Sequence, residues 1–104
     1  MATRHELAYL AEAEVDILSI VKFHLEKVGP ESARAIYETI RWEIMRLQEY
    51  PLLGATHPDP ELAMLGYRKL VLTQAYVAVY KVIDDTVLIY RVVNGATDYP
   101  KLLK

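Results

Sequence analysis

The chain has 104 residues, of which 53% are apolar and 25% charged, and it contains no cysteine. This length predicts a single domain over residues 1–104 that buries one core without disulfides. The lack of cysteine excludes thiolate zinc sites and cysteine nucleophiles, and it fits a reducing compartment, so we expect a cytoplasmic protein. The longest apolar run, Ala75–Tyr80, is far shorter than the roughly 20 residues of a membrane helix. We therefore expect no membrane span, and the polar residues among the first ten lead us to expect no signal peptide.

The net charge of −2 hides an asymmetry along the chain. Residues 1–64 carry six Lys or Arg and eleven Asp or Glu, a net of −5, whereas residues 65–104 carry six and three, a net of +3. The overall charge argues against a uniformly basic nucleic-acid-binding protein. The asymmetry indicates either one basic surface on an acidic protein or ordinary scatter.

The first half of the chain predicts one strand and two helices. Partial alternation over His5–Ala11 indicates a short strand. Apolar residues at three- and four-residue spacing predict a helix over Ala11–Val28. Gly29-Pro30 then ends this helix and begins a second one, which runs to about Glu49. The short connection predicts an antiparallel helical hairpin.

After a loop rich in Pro and Asp over Leu52–Leu62, the period changes from that of a helix to that of a strand. Three segments rich in Val, Ile, Leu and Tyr predict strands over Gly66–Thr73, Tyr76–Ile83 and Thr86–Asn94. The tail over 98–104 predicts one helical turn or an irregular cap. The expected fold is therefore α+β, with the N-terminal strand and the helical hairpin packed on one face of a small antiparallel β-sheet.

Short motifs follow one another along the chain in a set order. They are Ala13-Glu14-x-Asp16-Ile17, Leu47-x-x-x-Pro51-x-x-Gly54, Gly66-Tyr67-Arg68, Tyr76-x-x-x-Tyr80, Val87-x-Ile89-x-Arg91-Val92 and Gly95-x-x-Asp98-Tyr99. This ordered set resembles the RelE/ParE superfamily of toxins from bacterial type II toxin–antitoxin modules. The resemblance covers nearly the whole chain and is closer to the ParE-like, plasmid-stabilisation pattern.

The resemblance implies a toxin that inhibits growth and is neutralised by a cognate antitoxin. RelE-type members of the superfamily cleave mRNA on the ribosome, whereas ParE-type members inhibit DNA gyrase. The resemblance thus implies either DNA gyrase or ribosome-bound mRNA as the target. We expect no cofactor and no metal, because the three histidines do not cluster in the sequence.

A metal-independent ribonuclease needs a base, cations near the scissile phosphate and an acid for the leaving oxygen. Of the four cations in the RelE-type pattern, only the one at Arg68 is retained, because Leu70, Val77 and Thr97 stand at the other positions. The ParE-like pattern fits better and predicts inhibition by direct binding. The alternatives are a ribosome-dependent endoribonuclease and a non-toxic partner-binding module. Whether the protein is an enzyme stays open at this point.

Three residues are the candidates for catalysis if the protein is a nuclease. Arg68 and Arg91 would contact phosphate, and Tyr99 would act as the general acid. Each arginine also has a structural alternative, because Arg68 can pair with Asp98, and Arg91 can pair with Asp98 or with the acidic helices.

Five residues are candidates for partner binding: Trp42, Met45, Tyr76, Tyr80 and Lys69. Trp42 lies roughly opposite the apolar stripe of the second helix, with Met45 near it. An exposed Trp can mark a partner surface, unless the tail or the first strand covers it.

The strand candidates have their own alternatives. Tyr76 and Tyr80 share one strand face, where they either stack on nucleic-acid bases or serve as ordinary strand tyrosines. Arg68 and Lys69 are adjacent in a strand and point to opposite faces. Only one of these two cations can therefore lie on the sheet face that is free of helices.

Overall fold

The computed structural model describes residues 4–104. Within these residues the helices are α1 (Ala11–Lys27), α2 (Pro30–Met45) and α3 (Pro60–Met64). The strands are β1 (Glu6–Tyr9), β2 (Ala55–Thr56), β3 (Arg68–Val71), β4 (Tyr76–Ile83) and β5 (Thr86–Asn94), and short 3₁₀ segments lie at Arg46–Gln48 and Tyr99–Leu103. None of the helices in this part of the chain is both long and apolar enough to cross a bilayer.

The strands form one sheet in the order β1-β5-β4-β3-β2. Strands β3 to β5 pair antiparallel, as predicted, and the short β2, inside the predicted loop, pairs antiparallel with β3. Strand β1 instead pairs parallel with β5. The sheet is therefore mixed rather than wholly antiparallel. Parallel neighbours need a long crossover connection, and here the helical hairpin and three strands lie between β1 and β5 in sequence.

The helical hairpin packs on one face of the sheet, which confirms the predicted α+β fold. Arg41 of α2 binds Glu14 of α1 through two hydrogen bonds of 3.1 and 2.8 Å, and this pairing raises the pKa of Arg41. The main core lies between the hairpin and the sheet. Its fully buried members are Ala13, Ile17, Ile40, Ile44, Leu47, Ala78, Tyr80, Val87 and Ile89.

The opposite face of the sheet is partly covered as well. A second, smaller core forms there from Leu62, Tyr67, Val77, Val79 and Tyr99. Leu62 comes from α3, a helix inside the segment predicted to be a loop. The carboxylate of Asp59 caps this helix by accepting hydrogen bonds from the backbone N–H groups of Glu61 and Leu62.

An irregularity in β5 changes which way its side chains point. Val79 pairs with Arg91, but Tyr80 pairs with Ile89, so Tyr90 is an extra residue in the ladder. Strict alternation would place Arg91 on the face that carries Ile89. The extra residue breaks this alternation, so that Val92 rather than Arg91 follows Ile89 into the main core, and Arg91 pairs with Val79 of the second core.

Candidate functional site

Arg91 forms an ion pair with α1 rather than a free cationic site. Its Nε and Nη2 donate to the two carboxylate oxygens of Asp16 at 2.7 and 2.8 Å. The same carboxylate accepts the backbone N–H of Val92 at 3.0 Å. Strand β1 pairs only with residues 86–89 of β5. Beyond the end of β1, the Asp16 carboxylate is therefore the hydrogen-bond acceptor at this edge of β5. The hydrogen bonds to Asp16 raise the pKa of Arg91.

Arg68 is held by a loop, and the expected alternative of a pair with Asp98 is wrong. Its Nε donates to the carbonyl of Gly54 at 2.9 Å and its Nη2 to the carbonyl of Leu52 at 3.5 Å. Asp98 pairs instead with Lys101. Arg68 shares a strand face with Leu70, which belongs to the main core, so Arg68 lies on the helix-covered side. Lys69 is therefore the cation on the opposite face.

Tyr80 holds the same loop from inside the core. Its hydroxyl donates to the carbonyl of Pro51 at 2.8 Å and accepts the N–H of Gly54 at 3.0 Å. Burial raises the pKa of this hydroxyl. A Cβ on Gly54 would lie 2.6 Å from the carbonyl oxygen of Lys69 and 2.8 Å from the Tyr80 ring, so the close approach requires glycine.

Tyr99 is buried against His57. The N–H of Asp59 donates to Nδ1 of His57 at 3.0 Å, so Nδ1 is unprotonated and Nε2–H donates to the Tyr99 hydroxyl at 2.8 Å. Burial, and then the charge of Lys69, lower the pKa of His57. Burial, and then the charge of Asp59, raise the pKa of Tyr99, which makes it a weaker proton donor.

The structure gives each of the three candidate catalytic residues a different partner. Arg68 binds loop carbonyls, Arg91 binds a helix carboxylate, and Tyr99 binds a buried imidazole. No hydrogen bond or ion pair joins any two of them. In the described part of the chain, no group of three or more His, Asp or Glu side chains is placed to hold a metal ion.

Two of the candidate partner-binding residues face the main core. Tyr80 is fully buried, so its ring has no surface to offer a partner, and its assignment to partner binding is wrong. Tyr76 is half-buried on the same strand face and lies 3.3 Å from Nε2 of His24 through its hydroxyl. The shared face of these tyrosines was predicted correctly, but it is the face covered by the helices.

The other three candidates, Trp42, Met45 and Lys69, lie around two neighbouring cavities at the end of α2. The first cavity has a volume of about 250 Å³ and is lined by Arg4, Trp42, Met45, Arg46, Glu49 and Tyr50. The second, of about 370 Å³, includes Arg46, Leu53 and Lys69 in its lining. Arg46 lines both cavities, so they are adjacent. We call this region the Trp42 surface; it consists of Trp42, Met45, Arg46, Tyr50 and Leu53. Lys69 lines the second cavity, but its side chain lies on the opposite face of the sheet, beside Val79 of the second core.

The Trp42 surface is largely apolar and exposed, and buried residues hold its helix end and its loop in place. Trp42 and Tyr50 are each 59% exposed, which is high for large aromatic side chains. Leu47, between them in sequence, is fully buried and anchors this end of α2. The loop that carries Leu53 is the one held by Arg68 and Tyr80. Arg68, a candidate for catalysis, and Tyr80, a candidate for partner binding, thus both hold the loop in place.

Sequence reasoning missed Arg46, Tyr50 and Leu53 as members of this surface. They follow the last turn of α2, where helical phase no longer indicates direction. On the opposite face of the sheet, the ammonium of Lys81 lies over the rings of Tyr67 and Tyr90, at 4.4 and 5.2 Å from their centroids.

Comparison with known proteins places this architecture in a family. A family model described as the ParE toxin of the type II toxin–antitoxin system parDE matches residues 7–99. No curated protein sequence matches the chain.

Solved structures share the fold at low sequence identity. The chain is similar to a chain from the chromosomal ParDE toxin–antitoxin system of P. aeruginosa, with a TM-score of 0.75 and 23% identity over 89% of this chain and 98% of that one. It is also similar to a chain of the RelBE2 toxin–antitoxin complex from Mycobacterium tuberculosis, with a TM-score of 0.61 and 22% identity over 93% and 98%. A chain of the E. coli DinJ–YafQ toxin–antitoxin complex is similar with a TM-score of 0.54 and 13% identity, over 97% of this chain and 99% of that one. The chain therefore belongs to the ParE toxin family, and it is the toxin component of a type II toxin–antitoxin system.

Proposed function

We propose that this toxin arrests growth by binding a cellular target directly, in the manner of a DNA gyrase inhibitor, and that a cognate antitoxin neutralises it in the cytoplasm. The observation that supports this mode of action is the separation of Arg68, Arg91 and Tyr99. Each of these side chains is engaged by a different structural partner. Acid–base cleavage of RNA requires its groups to converge on one phosphate.

The exposed surface also supports action by contact. The Trp42 surface presents Trp, Tyr, Met and Arg side chains, which are the residue types that dominate binding energy at protein interfaces. Met45 and Leu53 are each about 40% exposed beside Trp42 and Tyr50. Such an exposed apolar region on a small protein is typical of an interaction site. A cognate antitoxin that contacts this or another face of the toxin would neutralise it by occupying or blocking the target-binding surface.

The substitution Tyr99→Phe separates direct binding from RNA cleavage. It removes only a hydroxyl that accepts one hydrogen bond from His57, so the ring still fills the second core. A contact inhibitor keeps its toxicity when this variant is induced in growing bacteria. Trp42→Ala is the matched comparison, because it removes an exposed side chain, leaves both cores intact and is expected to weaken toxicity.

The two modes of action give opposite results in this experiment. If Tyr99→Phe abolishes growth arrest while circular dichroism shows a folded protein, Tyr99 is a proton donor and the proposal fails. If Tyr99→Phe arrests growth as the unmodified toxin does, the hydroxyl has no part in the toxic activity. Soluble protein in each culture is measured by immunoblot, so that a loss of expression is not mistaken for a loss of toxicity.

A further inference from the structure

We propose that Asn94 is a site of spontaneous deamidation, which the unfolded chain undergoes and the folded protein suppresses. Asn94 is the single asparagine of the chain, and Gly95 follows it directly. Both residues are exposed where β5 ends. The reaction changes the chain itself and is independent of how the toxin acts on its target.

The reaction needs only these two residues and water. The backbone nitrogen of Gly95 attacks the side-chain carbonyl carbon Cγ of Asn94, so that a C–N bond forms and closes a succinimide ring. The side-chain nitrogen leaves as ammonia, which takes up the proton that the attacking nitrogen loses. Water then opens the ring at either carbonyl and gives aspartate or isoaspartate. Glycine favours the attack because it has no Cβ to shield its nitrogen or to restrict the backbone.

The folded protein engages the attacking nitrogen in a hydrogen bond. The N–H of Gly95 donates to the carbonyl of Ala75 at 2.8 Å, so its proton is occupied and its peptide plane is fixed. Asn94 itself pairs with Tyr76 at the end of the β4–β5 ladder. Its backbone carbonyl accepts hydrogen bonds from the N–H and the hydroxyl of Thr97 at 3.1 and 2.7 Å. Ring closure therefore requires this end of the sheet to open first.

The side-chain amide of Asn94 is held as well. Its Oδ1 accepts the N–H of Ala96 at 2.9 Å, which gives the side chain one orientation in a tight turn. The other side-chain amides of the chain are an internal reference for the reaction. Gln48 and Gln74 each have one more methylene, so ring closure would have to order one more rotatable bond. They should react more slowly than Asn94 in either state.

The products do not restore the native end of β5. Asn94 and Asp16 line the same cavity of about 290 Å³, so an aspartate at position 94 adds a second carboxylate there. Isoaspartate lengthens the backbone by one methylene, which shifts Gly95 relative to the carbonyl of Ala75. A toxin molecule that stays unfolded is thus altered chemically and returns to a less stable fold.

The test compares deamidation of the whole toxin in two states at pH 8. Purified toxin is kept folded in sodium chloride or unfolded in guanidinium chloride of the same molarity. Trypsin releases residues 92–101 as one peptide, because the flanking cleavage sites are Arg91 and Lys101. Mass spectrometry measures the replacement of NH₂ by OH in that peptide. We expect Asn94 in the unfolded chain to react at least about tenfold faster than in the folded protein.

Variants separate the chemistry from the protection. Gly95→Ala places a Cβ beside the attacking nitrogen, so the unfolded variant should react severalfold more slowly than the unfolded natural chain. Thr97→Ala removes one hydrogen bond to the Asn94 carbonyl and should raise the rate in the folded protein about threefold. The matched control is Thr39→Ala, at an exposed threonine of α2, which should leave that rate unchanged.

The deamidated molecules carry one more negative charge, so anion exchange separates them after refolding. We expect their Tm to be at least about 4 °C below that of the unmodified toxin.

Equal rates in the folded and unfolded toxin would overturn the inference, because the fold would then give no protection. No reaction of Asn94 in guanidinium chloride, an unchanged rate in unfolded Gly95→Ala, or an unchanged rate in folded Thr97→Ala would overturn it as well. An equal Tm of the two fractions would show that the modification leaves the end of β5 intact and would refute its effect on the fold.

Discussion

Replacing Asp16 by Ala removes the carboxylate that joins α1 to the uncovered edge of β5. This carboxylate accepts three hydrogen bonds, two from Arg91 and one from the N–H of Val92. The side chains of Arg91 and Asp16 are only 23% and 14% exposed. Breaking a fully buried ion pair costs about 3–5 kcal/mol, and an orphaned buried N–H costs about 1–3 kcal/mol. Because the pair here is partly exposed, we expect Asp16→Ala to lower the free energy of unfolding by about 3 kcal/mol.

This loss is measured by urea unfolding and by thermal melting. For a domain of this size each kcal/mol shifts Tm by about 4–8 °C, so the expected decrease is about 12–24 °C. Asp16→Asn keeps an acceptor for Val92 but loses the charge, and should cost about half as much. A double-mutant cycle of Asp16→Ala with Arg91→Ala should give a coupling energy of about 1–3 kcal/mol. A loss below about 1 kcal/mol, or additive single effects, would show that the pair does not hold β5 to α1.

Three further predictions concern the loop and the second core. Tyr80→Phe should lower the free energy of unfolding by about 1–3 kcal/mol, as urea unfolding would show, because the carbonyl of Pro51 and the N–H of Gly54 lose their partner. Unchanged stability would contradict this. Gly54→Ala should lower the free energy of unfolding more than a typical Gly→Ala change in a loop, since the added Cβ would lie 2.6 Å from a backbone oxygen. An unchanged free energy of unfolding would mean that the loop moves freely. The folded-state pKa of His57 is lowered below its usual value of about 6.5, so its contribution to stability is present above that pH and is lost as pH falls towards the folded-state pKa. Urea unfolding at pH 7.5 and 5.5 should therefore show a larger acid loss for the natural protein than for His57→Gln, and equal losses would refute the assignment.

The sequence predicted most of the fold because the local patterns agree with the tertiary structure. The helix over Ala11–Val28 ends one residue earlier than predicted, and two of the three late strands have the predicted bounds. The second helix changes to a 3₁₀ turn at Arg46. The pairing of β1 could not be predicted, because parallel or antiparallel pairing depends on where a long crossover returns. Helix α3 was missed although Asp59-Pro60 is a helix-start signal, since the segment around it is rich in Pro.

The candidate site was predictable only where helical phase determines direction. Trp42 and Met45 were placed on the exposed side of α2 from their phase relative to the buried stripe, and both are exposed. The roles of Arg68 and Tyr80 depend on a loop that approaches β3 and β4 from a distant part of the chain. Sequence spacing gives no measure of that approach. The position of Arg91 depends on one extra residue in β5, which no local propensity reveals.

The most direct test of the account is induction of the toxin in growing bacteria, with plasmid topology and primer extension on a translated reporter mRNA measured from the same culture. Direct inhibition of a gyrase-like target predicts growth arrest with relaxed plasmid or gyrase-linked DNA breaks, and intact reporter mRNA. Discrete cuts in the translated mRNA with normally supercoiled plasmid would contradict it and show that the toxin is a ribonuclease.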